Sequence, residues 1–225
     1  MVSEGADIID IGGESTRPGY IKISAEEEIE RVLPVIEAVK KETDIPLSLD
    51  TYKSKVAKAG IDAGIGLIND IWGLKYDSNM AKVIKEGDVA CCLMHNRDNT
   101  DYTNFAMDLQ NDLLETVRIA KEAGIDDNKI MLDPGVGFAK DTNQNLQSVA
   151  LISDLKHLGY PILLGVSRKS VIGNTLQIED KKERIYGTIA LNLEGINKGA
   201  GIIRVHDVKA HVDAIKMRDA VLKCI

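Results

Sequence analysis

The side chains in this sequence best equipped to bind or polarise a ligand stand where short apolar runs stop: Asp50, Asn69, Asp133, Lys169, Arg204 and His206, with Arg17 in a loop. Asp50 lies in SLDT, Asn69 and Asp70 close IND, and Asp133 ends the run before Pro134. Two carboxylates and an amide facing one cavity accept hydrogen bonds from the donor edge of an amino-substituted heterocycle. Arg204 and His206 stand two residues apart in RVHDV, which puts both on one face of an extended strand. A guanidinium beside an imidazole suits a phosphate or a pyrophosphate. In LLGVSRKS, Lys169 follows Arg168 at the start of a short helical turn, and adjacent cations there call for an anion or an electron-rich ligand. DIGGESTRPG leaves a strand through Gly12 and Gly13, which allow close backbone approach or positive φ, and it carries Arg17, a fork of donors for an anion. Each group also has an ordinary use: Asp50, Asn69 and Asp70 as helix caps or Asx turns, Arg17 as a solvated side chain, His206 as a buried ring bonded to backbone.

The elements that must position these groups alternate. Strand patterns fall at residues 7–13, 46–51, 67–73, 90–95, 129–135, 161–167 and 202–208, separated by segments of helical periodicity. Ile29, Val32, Leu33 and Ile36 share one helical face, as do Leu109, Leu113, Val117 and Ala120. Ser24 with Glu27 has the form of a capping box, and Gly124, Gly159 and Gly199 mark helix ends. Strand then helix, repeated, is the rhythm of a parallel α/β sheet or barrel, in which strand ends from across the sequence meet at one mouth. We expect a single-domain (β/α)8 TIM barrel over residues 1–225 with seven of its eight strands recognisable: either N-terminally truncated, or open between its second and eighth strands with two exposed edges, truncation being favoured because closed barrels bury their edges.

Composition narrows the function classes. A formal charge of −7 and the absence of a basic stripe argue against a nucleic-acid partner. No apolar run is long enough to span a membrane and the opening MVSEGADIIDIGG lacks signal-peptide character, so a cytoplasmic protein is expected. Hydrophobic residues make up 44% of the chain but aromatic ones only 4%, which gives an aliphatic core suited to buried parallel strands. Three cysteines, two of them the neighbours Cys91 and Cys92, make no disulfide framework, and Cys224 is terminal. His95, in LMHN near those cysteines, has no partner at metal-ligand spacing, so no protein metal site is expected. GVGF at 135–138 lacks the continuation of a dinucleotide loop, and GxSxG is absent. His157 and His211 fall in helical segments and are expected at the surface.

Taken in order, DIGGESTRPG, SLDT, INDIWG, LMHN, MLDPGVGFAK, LLGVSRKS and GIIRVHDV resemble the dihydropteroate synthase family over nearly the whole chain. The resemblance implies a transferase of folate biosynthesis that condenses 6-hydroxymethyl-7,8-dihydropterin pyrophosphate with 4-aminobenzoate, giving 7,8-dihydropteroate and pyrophosphate. It implies that Asp50, Asn69, Met94, Asp133, Gly165 and Lys169 line the pterin pocket. Asn69, Arg204 and His206 would hold the pyrophosphate, and Thr16, Arg17, Pro18, Phe138, Lys169 and Ser170 the aminobenzoate. Lys169, Arg204 and His206 would be the catalytic groups. Magnesium, a homodimer and sensitivity to sulfonamide-type analogues are further implications, with the family's magnesium-holding asparagine expected in a first strand upstream of this sequence. Ala139 and Val171 stand where the family often has Gly and Phe. The alternatives weighed against this reading are a pterin-binding methyltransferase barrel, which needs no pyrophosphate clamp, a Schiff-base aldolase built on Lys169, and a catalytically impaired pterin-binding fragment.

Overall fold

The computed structural model describes every residue except 16–20 and 225. Its elements follow the expected alternation: β1 (Ile9–Gly12), α1 (Ala25–Glu42), β2 (Leu47–Asp50), α2 (Ser54–Asp62), β3 (Leu67–Asp70), α3 (Met80–Gly87), β4 (Ala90–Met94), α4 (Phe105–Glu122), β5 (Ile130–Asp133), α5 (Thr142–Ala150), α6 (Ile152–Lys156), β6 (Leu163–Leu164), α7 (Ser170–Leu176), α8 (Ile185–Lys198), β7 (Ile202–Ile203) and α9 (Val208–Leu222). Every expected strand is found, and every one is shorter than its pattern. The sequence pattern includes flanking residues that lie outside the paired strands.

The chain divides into two compact units, residues 7–94 with 112–131, and residues 1–6, 95–111 and 132–225. In the first, β1 to β4 form a parallel sheet in which Gly12 pairs with Asp50, Asp50 with Asn69, and Asn69 with Cys92. Parallel strands buried on both faces need apolar residues at successive positions. Leu49, Ile68 and Leu93 accordingly fill one face without exposure, while Ser48, Asn69 and Cys92 occupy the other. Helix α2 reaches the first face through Gly60, where an added Cβ would lie 2.4 Å from Leu49 Cδ2. Gly13 takes the close-approach role expected of the paired glycines, since its Cβ would lie 2.8 Å from Val32 of α1. On α1, Ser24 accepts from the Glu27 N–H, but the Glu27 carboxylate pairs with Arg31 instead of closing a capping box. Cys91, Cys92 and Cys224 are not joined in disulfides.

In the second unit Leu132 bridges Ile162, and β6 pairs in parallel with β7, Leu163 with Ile202 and Leu164 with Ile203. Here the reciprocal capping box is built by Asp141 and Gln144 at the start of α5. Positive φ at Gly199, the C-cap of α8, and at Gly124 and Gly159 fits the expected helix ends. His211 is buried, against expectation: at the start of α9 its Nδ1 lies 2.8 Å from the Asp207 carbonyl oxygen one turn earlier. His157 is exposed, as expected.

Candidate active site

In the first unit the register decides which of two adjacent polar residues is available to a ligand. Asp50 and Asn69 are direct partners on one face of the sheet, and Met94 lies two residues beyond Cys92 on that same face. Asn69 Nδ2 donates to Asp10 Oδ2 at 3.3 Å, which adds a carboxylate that the sequence reading missed. Asp10 sits inside DIIDIGG two residues before Gly12 and so shares its strand face, the face on which Gly12 pairs with Asp50. Asp70 falls on the opposite face, where its oxygens accept from the Trp72 and Leu74 N–H groups at 2.9 and 2.7 Å. The Asx-turn use offered for both residues of Asn69-Asp70 therefore belongs to Asp70 alone. Burial pushes its carboxyl up to about 6, against the pull of those two N–H donors.

In the second unit Asp133 ends β5 with its carboxylate buried, Oδ1 accepting from Gly135 N–H at 2.7 Å. Its other oxygen faces Gly165: a Cβ there would lie 3.6 Å from Asp133 Oδ2 and 3.9 Å from Lys169 Nζ. One bare position on the chain following β6 thus adjoins both a carboxylate and an ammonium. Burial raises the Asp133 carboxyl, while Lys169, the Gly135 N–H, Lys140 and Arg204 draw it back.

The Lys169 side chain lies over the loop after β5. Its Nζ donates to the Val136 carbonyl and stands 4.8 Å from the centre of the Phe138 ring. A Cβ on Gly137 would meet Lys169 Cδ at 2.9 Å, so this glycine is what lets the side chain lie flat. The loop itself is fastened from within. Asn145 Oδ1 accepts from Gly137 N–H, and its Nδ2 donates to the Lys140 and Asp141 carbonyls at 3.2 and 2.8 Å. Lys140 Nζ lies 2.8 Å from His95 Nδ1 and donates to the Gly135 and Phe138 carbonyls. Ala139 holds φ 45°, a backbone conformation that favours glycine.

Arg204 and His206 lie beyond β7, which has only two residues, so strand alternation alone does not align them. The Arg204 N–H still extends the ladder to the Leu164 carbonyl at 3.0 Å. His206 is held by Ser167, whose hydroxyl lies 2.8 Å from Nδ1 and accepts from the His206 N–H at 3.2 Å. Ser167 is two residues before Lys169, so the turn after β6 carries contacts to both. The expectation that Arg168 and Lys169 together need a ligand anion is corrected: Arg168 pairs with Asp207 through Nε at 3.0 Å and Nη2, which removes one of the two charges from the count. Ser170 opens α7. Thr16, Arg17 and Pro18 lie outside the described residues. Among those residues no group of three or more His, Cys, Asp or Glu could hold a metal ion, so no side chain is assigned to magnesium.

This chemistry is a hydrogen-bond acceptor and an ammonium at one point, with a guanidinium and an imidazole on the neighbouring turn. The family described as pterin binding enzyme matches residues 1–206. A dihydropteroate synthase of Clostridium beijerinckii is 55% identical over 99% of this chain and 83% of its own length, and one of Bacillus subtilis is 50% identical over 99% and 78%. A solved dihydropteroate synthase of Clostridium difficile, in the presence of pteroic acid, superposes with a TM-score of 0.95 at 48% identity, covering 98% of this chain and 84% of that one. The Xanthomonas albilineans dihydropteroate synthase with 4-aminobenzoic acid gives 0.95 at 40% identity, covering 98% and 81%. The fold class is accordingly the α/β TIM barrel, and the chain belongs to the pterin-binding enzymes, among the dihydropteroate synthases.

Proposed function

We propose that the chain condenses 6-hydroxymethyl-7,8-dihydropterin pyrophosphate with 4-aminobenzoate through the groups just described. The observation that carries the residue roles is the meeting of Asp133 Oδ2 and Lys169 Nζ at Gly165. A pterin presents an amino group and a ring N–H on one edge and a carbonyl oxygen and ring nitrogen beside it. A carboxylate accepts from the first and an ammonium donates to the second, so the two protein groups match two adjacent edges of one ring. Asp50, Asn69 and Asp10 offer acceptors of the same kind.

Arg204 and His206 take the diphosphate in this reading. The bond from the methylene carbon to the diphosphate oxygen breaks, the amine nitrogen bonds to that carbon, and the amine gives up a proton. Negative charge gathers on the departing oxygens, and preorganised donors aimed there lower the barrier. Ser167 orients the imidazole, which costs no reorganisation at the moment of reaction. Phe138 and Ser170 supply a ring face and a helix-start hydroxyl for the aminobenzoate, with Thr16, Arg17 and Pro18 its further contacts. Magnesium is proposed as a companion of the diphosphate. A homodimer, a cytoplasmic location and binding of sulfonamide-type analogues in the aminobenzoate pocket belong to the same proposal; among the described residues no helix is long and apolar enough to cross a membrane.

Calorimetry with the pterin pyrophosphate, followed by a pyrophosphate-release assay, separates binding from turnover. Asp133→Asn is expected to weaken pterin binding at least about tenfold, because a buried acceptor pair becomes half donor. His206→Ala is expected to leave pterin binding within about threefold and to slow release on the order of 100-fold. Unchanged affinity in the first variant, or unchanged release in the second, would overturn the role assigned to that residue.

A further inference from the structure

Between β6 and α7 the chain turns back on itself, with the Lys169 N–H bonded to the Val166 carbonyl at 3.2 Å. The third residue of that turn, Arg168, has φ 57°. A turn of this closure with positive φ at its third position normally uses Gly or Asn, because a side chain there crowds the following carbonyl. Arginine stands there instead, and its surroundings must hold it in place. They do so on both sides of one residue. The Arg168 N–H donates to Thr188 Oγ1 at 3.1 Å, and the Arg168 carbonyl accepts from Arg184 Nη1 at 3.2 Å. Thr188 Oγ1 in turn donates to the Arg184 carbonyl at 2.8 Å, so the two partners on α8 and the turn before it close a ring of hydrogen bonds around Arg168.

Arg184 is buried, and its guanidinium donates to main-chain carbonyls: those of Arg168, Ile178 and Glu179, the last at 2.9 Å. Gly173 on α7 leaves room for it, since a Cβ there would lie 2.5 Å from Nη2. The Arg168 guanidinium reaches Asp207, the residue after His206, an ion pair that offsets the backbone cost and that glycine at this position could not make. That ion pair also draws the Arg168 charge away from Lys169. With φ at Arg168 fixed, the chain leaves the turn in the direction that lays Lys169 across Gly137 and brings Nζ beside Gly165, which Asp133 Oδ2 also adjoins.

We infer that Thr188 and Arg184 are positioning residues for pterin binding: they hold Arg168 in its left-handed conformation, which aims Lys169 at Asp133. The inference rests on the pterin role proposed for Lys169. Neither residue touches that site in the structure, and neither was singled out by sequence patterning. A loop released to other conformations binds with an affinity reduced by the fraction of time it spends in the competent one.

A double-mutant cycle read by calorimetry with the pterin pyrophosphate tests this. Lys169→Met serves first: if it leaves pterin affinity unchanged, the role of Lys169 itself fails. Given a loss there, Thr188→Val is expected to weaken pterin binding about tenfold with its melting temperature near that of the parent, and Thr188→Ser, which restores the hydroxyl, to recover it. In an Arg168→Gly background, where glycine reaches positive φ without a side-chain clash, Thr188→Val is expected to cost less than about threefold. Arg184→Lys, which keeps the charge but not the fork, is expected to behave like Thr188→Val. A Thr188→Val loss of equal size in both backgrounds, or no loss in either while Lys169→Met does lose affinity, would overturn the inference and leave the pterin reading standing.

Discussion

Two glycines of the second unit show how differently an absent side chain is used. Gly135 has φ 69° and a Cβ there would lie 1.9 Å from the His95 carbonyl oxygen, so the backbone itself forbids any other residue. At Gly165 the nearest atoms stand 3.6 and 3.9 Å from the built Cβ, which is ordinary van der Waals contact. Nothing about folding requires glycine there, and what occupies the neighbourhood is the pair Asp133 and Lys169. Gly165→Ala is therefore expected to keep the melting temperature within about 2 °C while lowering pterin affinity at least about tenfold, because a methyl group takes the space in which the ring must meet both groups. Thermal melts and calorimetry on one preparation check both halves, and a variant that binds like the parent would show that the space is not used. Residue types at strand ends were legible at this scale: Asp50, Asn69, Met94, Asp133, Lys169 and Phe138 all stand on the elements or loops expected of them. Asp10 was not, because an acidic residue one pleat before the strand end has no turn residue beside it to draw notice. His211 was misjudged because a helical segment shows which face is polar only when its periodicity is strong, and α9 mixes charged and apolar residues along its length.

Elements were more legible as a sequence than as lengths. Runs such as LSLD and ACCLM announce strands buried on both faces, yet β6 and β7 pair over only two residues each, and the groups that matter most, Ser167, Lys169, Arg204 and His206, stand beyond the paired region. What holds those loops is tertiary: Asn145, Arg184 and Thr188 bond backbone far from themselves in sequence, which no local pattern records. The end of β3 is different, because Asp70 closes its own loop by accepting from Trp72 and Leu74. Its carboxyl is raised by burial from 3.8 to about 6. A group with a raised folded value favours the folded state fully below its unfolded value and loses that contribution as pH rises through the folded one. The loss falls between pH 4 and pH 6 and is on the order of 3 kcal/mol. Asn cannot titrate, so the stability of the parent relative to Asp70→Asn is expected to be greatest near pH 4 and to shrink by pH 7. Urea unfolding at the two pH values measures that difference, and a gap that widens with pH would contradict the direction argued here.

Across the whole molecule, the chain passes between its two compact units four times, at residues 6, 94, 111 and 131. Two of those crossings occur inside regular elements: α4 runs from Phe105 to Glu122 through the one at 111, and β5 runs from Ile130 to Asp133 through the one at 131. Neither unit is a continuous stretch of sequence, which is why patterning along the chain gave a single domain and no linker. A helix cut at its middle loses the hydrogen bonds of the turn on each side of the cut. Neither unit holds the whole of α4 or of β5, so neither keeps a complete set of its own elements by itself, and two-state behaviour is expected. The sequence supplies a probe for one unit, since its single tryptophan, Trp72, lies in the loop after β3 and packs 5.9 Å from Tyr76. Far-UV circular dichroism reports the helices of both. Urea titrations followed by Trp72 fluorescence and by circular dichroism are expected to share one midpoint to within about 0.2 M, whereas a fluorescence transition completed before the helical signal has moved would mean that the residues 7–94 and 112–131 come apart first.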